Sequence, residues 1–163
     1  MLADSSEILG MIMPGPGTTS VACLGAALID AEGNIDSTEI PGKAFLVGSG
    51  GGNDVASVAD DVIVVTTLTP RRTVASVPYV TSPGARVSHL VTDLGLFEKR
   101  EGHFVLTAVP AGEGPLADRV ERVREVCGWE LAVAERVAEL DPPTPDEIET
   151  LRRWDPRGFF LRA

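Results

Sequence analysis

The sequence predicts an α/β domain: an open, mostly parallel sheet flanked by helices. Three observations carry that expectation. Apolar runs of strand length at Val21 to Ile29, Ala44 to Val47 and Val62 to Thr66 read as strands of the sheet, the first nearly all apolar, as a strand covered on both faces would be. Helix signals fall between and after these runs, so strand, helix and strand follow in the order of a parallel crossover unit, right-handed by default. A glycine cluster, Gly48-Ser49-Gly50-Gly51-Gly52, joins the second run to the helix after it.

Taken in order, Asp4-Ser5-Ser6-Glu7 reads as a capping box that opens a helix through Ile8, Leu9, Met11 and Ile12. Met13-Pro14-Gly15-Pro16-Gly17 ends it. Gly25 inside the Val21 to Ile29 run marks a close approach of another backbone or a ligand. Asp30-Ala31-Glu32-Gly33-Asn34 is turn chemistry, and Ile35 to Thr38 returns as a short antiparallel strand. After the glycine cluster, Asp54 to Ala59 reads as a short helix with Asn53 or Asp54 as N-cap, and Asp61 to Thr67 as a buried strand. Thr73 to Val80 and Val87 to Thr92 are further strands joined by a turn at Thr81-Ser82-Pro83-Gly84, and Leu94 to Lys99 pairs with His103 to Val109 around Arg100-Glu101-Gly102. Pro115 to Cys127 places Leu116, Val120, Val123 and Val126 at helical intervals, and Gly128 stops that helix. Thr144 as N-cap and Pro145 at the first helical position open a last helix through Arg153.

The chain of 163 residues is of single-domain size, and residues 1–163 read as one domain. Its 24 acidic against 14 basic residues give a net charge of −10, which argues against a nucleic-acid groove or an anionic membrane surface as partner. Cys23 and Cys127 have neither metal-ligand spacing nor the pattern of a disulfide framework, so a reduced, cytoplasmic setting is expected. The acidic start lacks a basic n-region, and no apolar run is long enough to span a bilayer.

Few residues carry chemistry. His89 and His103 lie apart in strand-like segments without partners at metal-ligand or catalytic spacing, so no metal site is expected. Asp93 ends an apolar run as turn-forming aspartates do, and Trp129 and Trp154 read as packing anchors after helices. The glycine loop stands out: a strand–loop–helix junction offers backbone N–H groups, unobstructed by side chains, to an anion.

Four stretches then become specific together. Leu24-Gly25-Ala26-Ala27-Leu28-Ile29-Asp30 with Gly33-Asn34 and Ser37-Thr38, the loop Gly48 to Asp54, Tyr79-Val80-Thr81-Ser82-Pro83-Gly84, and Val91-Thr92-Asp93-Leu94-Gly95-Leu96-Phe97 follow in order. They resemble the β chains of CoA-transferases of the glutaconate and 3-oxoadipate type. Gly128-Trp129, Pro143-Thr144-Pro145-Asp146-Glu147, Leu151-Arg152 and Asp155-Pro156 extend the likeness over practically the whole chain. The resemblance implies an active site shared with an α-type chain and acyl-CoA as substrate. A β-chain glutamate attacks the thioester and becomes a glutamyl-CoA thioester before CoA passes to a second carboxylic acid. It further implies that Gly48, Gly50, Gly51 and Gly52 line the thioester pocket, with Asn53 and Asp54 fixing the loop.

One departure goes with it. The family's glutamate sits in a Glu-Asn-Gly or Glu-Ser-Gly context upstream of the segment resembling Ala3-Asp4-Ser5, and neither tripeptide occurs here. Glu7, the only glutamate ahead of the first apolar run, is accounted for by its capping box. The chain thus resembles the C-terminal part of a β chain, N-terminally incomplete, with no catalytic residue of its own and an upstream segment to be supplied. A CoA-thioester or ring-opening hydrolase subunit and a non-catalytic partner are the alternatives on the same scaffold.

Overall fold

In the computed structural model, which describes residues 4–159, the chain opens with α1 (Ser5–Glu7), capped by Asp4 and continued by a π-helical turn over Ile8–Ile12. There follow β1 (Val21–Gly25), β2 (Leu28–Asp30), β3 (Ile35–Asp36), β4 (Glu39–Ile40), β5 (Ala44–Phe45), α2 (Gly52–Val58), β6 (Asp61–Val65) and β7 (Thr73–Val74). A 3-10 turn at Gly84–Arg86 leads into β8 (Val87–Val91), β9 (Leu96–Arg100), β10 (His103–Pro110), α3 (Leu116–Val126), β11 (Ala132–Leu140) and α4 (Pro145–Trp154). The main sheet has the order β1-β6-β8-β9-β10-β11, with β9 alone antiparallel to its neighbours. A small sheet, β3-β2-β7, and the hairpin β4-β5 stand beside it.

The α/β architecture is as expected, but several elements differ. Val21 to Ile29 is two strands in two sheets, broken at Ala26 and Ala27, and β1 is an edge strand with alternating exposure. Ala44 to Val47 does not enter the main sheet: β5 pairs antiparallel with β4, and both its residues are exposed. The parallel neighbour of β6 is therefore β1. Only Thr73–Val74 of the Thr73 to Val80 run is strand, pairing parallel with β2. The strand β11 carries no sequence signal because it is an edge strand with no buried residue and is rich in Ala and Glu, which have low β propensity. Trp154 is 86% exposed and anchors nothing in the core, whereas Trp129 stacks on buried Phe104 at 6.1 Å between ring centroids.

Other local readings hold for their stated reasons. Glu101 (φ 52°) and Gly102 (φ 89°) are the two residues between the paired Arg100 and His103, the positive φ pair of a tight hairpin turn. Asp4 with Glu7 and Thr144 with Glu147 both form reciprocal capping boxes. Gly128 does more than stop α3: a Cβ there would lie 1.7 Å from the Thr73 carbonyl oxygen, and its N–H donates to Thr73 Oγ1 at 3.0 Å.

The sheet has two unlike faces. Leu24, Val64, Leu90, Phe97 and Leu106 stand in register across five strands, and the last four are fully buried. Ala59 after α2, Val123 of α3, Ile29 and Ile35 join them in one core. Side chains alternate along a strand, so the adjacent register row, Cys23, Ile63, His89, Glu98 and Val105, points the other way, and none of its members is buried.

Candidate functional site at the carboxyl edge of the sheet

The end of α2 is tied to the start of β1. The N–H groups of Asp60 and Asp61 donate to the Ser20 carbonyl at 3.1 and 3.2 Å, and the Asp60 carboxylate accepts from the Ser20 N–H at 2.8 Å. Those contacts hold the Asp60 carboxyl below its ordinary range. The helix therefore runs against the strand direction, which leaves the glycine loop at the carboxyl edge of β1 and β6. In open α/β sheets ligands bind outside that edge.

The rest of the edge is braced by short contacts. The Ala26 carbonyl, just past β1, accepts from Thr66 Oγ1 at 3.3 Å and from Arg72 Nη1 at 3.1 Å. Past β8, Thr92 Oγ1 accepts from the Gly95 N–H at 2.9 Å, and the Asp93 carboxylate accepts from the Leu68 N–H at 2.7 Å. Asp93 thus holds the loop after β6, as a turn-forming aspartate does.

Within the loop, Gly50 has φ +53°, and the space around a Cβ at Gly48 or Gly50 is open. The N–H groups of Gly50 and Gly51 have no acceptor among the described residues, while the Gly52 N–H closes a turn onto the Ser49 carbonyl at 3.1 Å. The N-cap of α2 is Gly51, without a side-chain cap, so the expected capping by Asn53 or Asp54 is not formed. Both instead occupy the first turn: Asn53 Oδ1 accepts from Ser57 Oγ at 3.3 Å, and Asp54 lines a cavity of about 430 Å³ between α1 and α2. With seven residues, α2 has a small dipole, and the free N–H groups are what the loop offers an anion.

Sequence reasoning missed how the loop is supported. Thr81 Oγ1 donates to Thr38 Oγ1 at 2.9 Å and accepts from the Ser37 N–H at 3.0 Å, and the Leu46 N–H donates to the Thr38 carbonyl at 2.7 Å. Gly52 lies against Ser82, whose Oγ would be 3.4 Å from a Cβ there. The Ser37-Thr38 and Thr81-Ser82 pairs, 44 residues apart in sequence, thus meet beside the loop. Asp36 caps this cluster by accepting from the Thr38 N–H at 3.0 Å, fully buried, with its second carboxylate oxygen unpartnered among the described residues. The only advance signal was that these residues occurred within the family-like stretches.

The histidines do not converge on the loop. His89 sits mid-strand with Nδ1 2.7 Å from Ser88 Oγ, and His103 is exposed at the start of β10. Among the described residues no group of three or more His, Cys, Asp or Glu is placed to hold a metal ion. Both cysteines are free, and burial raises the Cys127 thiol above its ordinary value. No helix among the described residues is long and apolar enough to cross a membrane.

An open, mostly parallel sheet with a bare glycine loop at its carboxyl edge defines a ligand-binding α/β domain. No family model matches the chain. It is 31% identical to the β subunit of 3-oxoadipate CoA-transferase of Pseudomonas knackmussii, over 96% of this chain and 66% of that protein. It is 30% identical to the β subunit of glutaconate CoA-transferase of Acidaminococcus fermentans, over 88% of this chain and 60% of that protein. The crystal structure of glutaconate coenzyme A-transferase from the same organism superposes with a TM-score of 0.74 at 28% identity, over 88% of this chain and 61% of the other. The chain is homologous to the β subunits of the 3-oxoadipate and glutaconate CoA-transferases and is a β-type member of that family. It spans 66% and 60% of the length of these two curated relatives.

Proposed function

We propose that the chain is the β-type component of an enzyme that moves CoA between an acyl-CoA and a carboxylic acid. One observation supports the site: the loop Gly48 to Gly52 offers the unpaired N–H groups of Gly50 and Gly51 at the carboxyl edge, with open space in front. Such donors suit the oxygen of a thioester that gains negative charge when a nucleophile adds to its carbonyl. Gly48, Gly50, Gly51 and Gly52 line the pocket in this reading, and Asn53 and Asp54 hold the loop against α2 and α1.

The nucleophile is a glutamate carried outside these 163 residues. It attacks the acyl-CoA carbonyl, thiolate leaves, and CoA is regained on the glutamate as a thioester while the acyl group departs as its carboxylate. The acceptor acid then repeats the exchange in reverse, so one carboxylate replaces another at similar energy. An α-type chain supplies the facing wall, and the exposed Phe45, Val47 and Tyr79 beside the loop offer it apolar surface. The test mixes this chain with an α-type chain, a glutamate-bearing β segment, an acyl-CoA and an acceptor acid. Transfer is expected only with the glutamate present. Transfer without any such glutamate would refute the mechanism, and CoA release independent of acceptor would assign a hydrolase instead.

A further inference from the structure

We propose that the exposed face of the main sheet docks a layer of amphipathic helix belonging to a β-type chain, in addition to the packing on the core face. The row Cys23, Ile63, His89, Glu98 and Val105 runs in register across five strands, with no residue buried, although the row behind it is the centre of the core. Val65, on the same face as Ile63, is 51% exposed. Mostly parallel sheets occur almost only with both faces covered, because strands of this kind carry apolar side chains on both sides. Here the residues of α2 and α3 that are buried join the core on one face, and nothing described lies over the other.

Two facts choose the occupant. The matched relatives are longer, this chain spanning 66% and 60% of them, so about a third of each has no counterpart here. The barest part of the face is some four strands, about 19 Å across at ~4.8 Å per strand, which two helices of ~10 Å diameter cover. A third of a subunit is ample for that. A second copy of this chain fits worse. Each copy carries a net charge of −10, and Asp61 and Glu98 lie on this face, so two such faces repel, whereas a helix with Lys or Arg beside its apolar stripe is attracted.

Cys23, exposed on this face, reports occupancy, and Cys127, half-buried near the end of α3, serves as control. The probe is the part of the Pseudomonas knackmussii β subunit outside the matched region, added in excess as a separate polypeptide. Alkylation by N-ethylmaleimide is followed at each cysteine by mass spectrometry. Cys23 alkylation is expected to slow at least tenfold while Cys127 is unchanged, and Val65→Lys, at a half-exposed position that tolerates a long side chain, should restore the rate. An unchanged Cys23 rate with folded fragment overturns the proposal, as does Cys23 protection by the chain's own concentration with a dimer in sedimentation. If the fragment does not fold alone, its fusion ahead of residue 1 is read the same way, and Cys23 reacting there as fast as in the bare chain overturns it equally. No readout involves CoA, so failure here is distinct from failure of the transferase assay.

Discussion

Gly48 separates a ligand cradle from a mere turn. Its φ is not in the left-handed region and no atom lies within 4 Å of the place a Cβ would take, so Gly48→Ala fits the fold without strain. Replacing glycine by alanine at a compatible position stabilises by about 0.4–1 kcal/mol through the unfolded chain. For a chain of this size that raises Tm by roughly 1–4 °C. Gly50 is the contrast: at φ +53° an added side chain meets the left-handed penalty of about 1–2 kcal/mol, so Gly50→Ala should lower Tm by roughly 2–8 °C. If the open space in front of the loop is where a thioester sits, Gly48→Val fills part of it and moves the carbonyl off its donors. Losing one such donor typically costs about 3 kcal/mol in the transition state, on the order of a hundredfold in rate. Thermal unfolding is measured beside acyl-CoA turnover in the complex completed with its partner chains. Full turnover per folded molecule by Gly48→Val, with Tm unchanged, would refute the assignment of the loop to the site.

Three further outcomes follow from the packing. Gly128→Ala should abolish the native fold or cost more than ~3 kcal/mol, because a Cβ there overlaps the rigid Thr73 backbone at 1.7 Å; urea unfolding against wild type decides it. Thr144→Ala should cost about 1 kcal/mol, lost locally as fraying of the exposed α4 and visible as faster amide exchange there with little change in global stability. Asp60 and Glu147 have carboxyl pKa values held below 3.8 and 4.5 by N–H donors from Ser20 and Thr144, so each adds stability that is full above those values and lost as pH falls through the lower folded ones. Asp60→Asn should therefore show a shallower loss of urea-unfolding stability between about pH 5 and pH 2, and an unchanged slope would remove Asp60 from the account.

Local chemistry was legible in the sequence wherever it is local in the structure. Both capping boxes, the two-residue turn at Glu101 and Gly102, and the amphipathic α3 are decided by residues within a turn or two of each other. The ordered stretches from Leu24 to Phe97 likewise marked the family, since the residues themselves carry that likeness. Sheet membership was another matter. An apolar run says that a segment is buried, not which strand it pairs with, so Ala44 to Val47 passed for a central strand although β5 belongs to an exposed hairpin. The β11 strand was invisible for the converse reason: at an edge, backbone pairing holds it with no buried side chain to leave a pattern. The glycine loop was marked by composition, but its unpaired N–H groups, its support by Thr38 and Thr81, and the buried Asp36 depend on contacts across some 44 residues of sequence. The bare face of the sheet is likewise a tertiary fact. Alternation along each strand supplied apolar residues to both faces, and only the positions taken by α2 and α3 decided which face they cover.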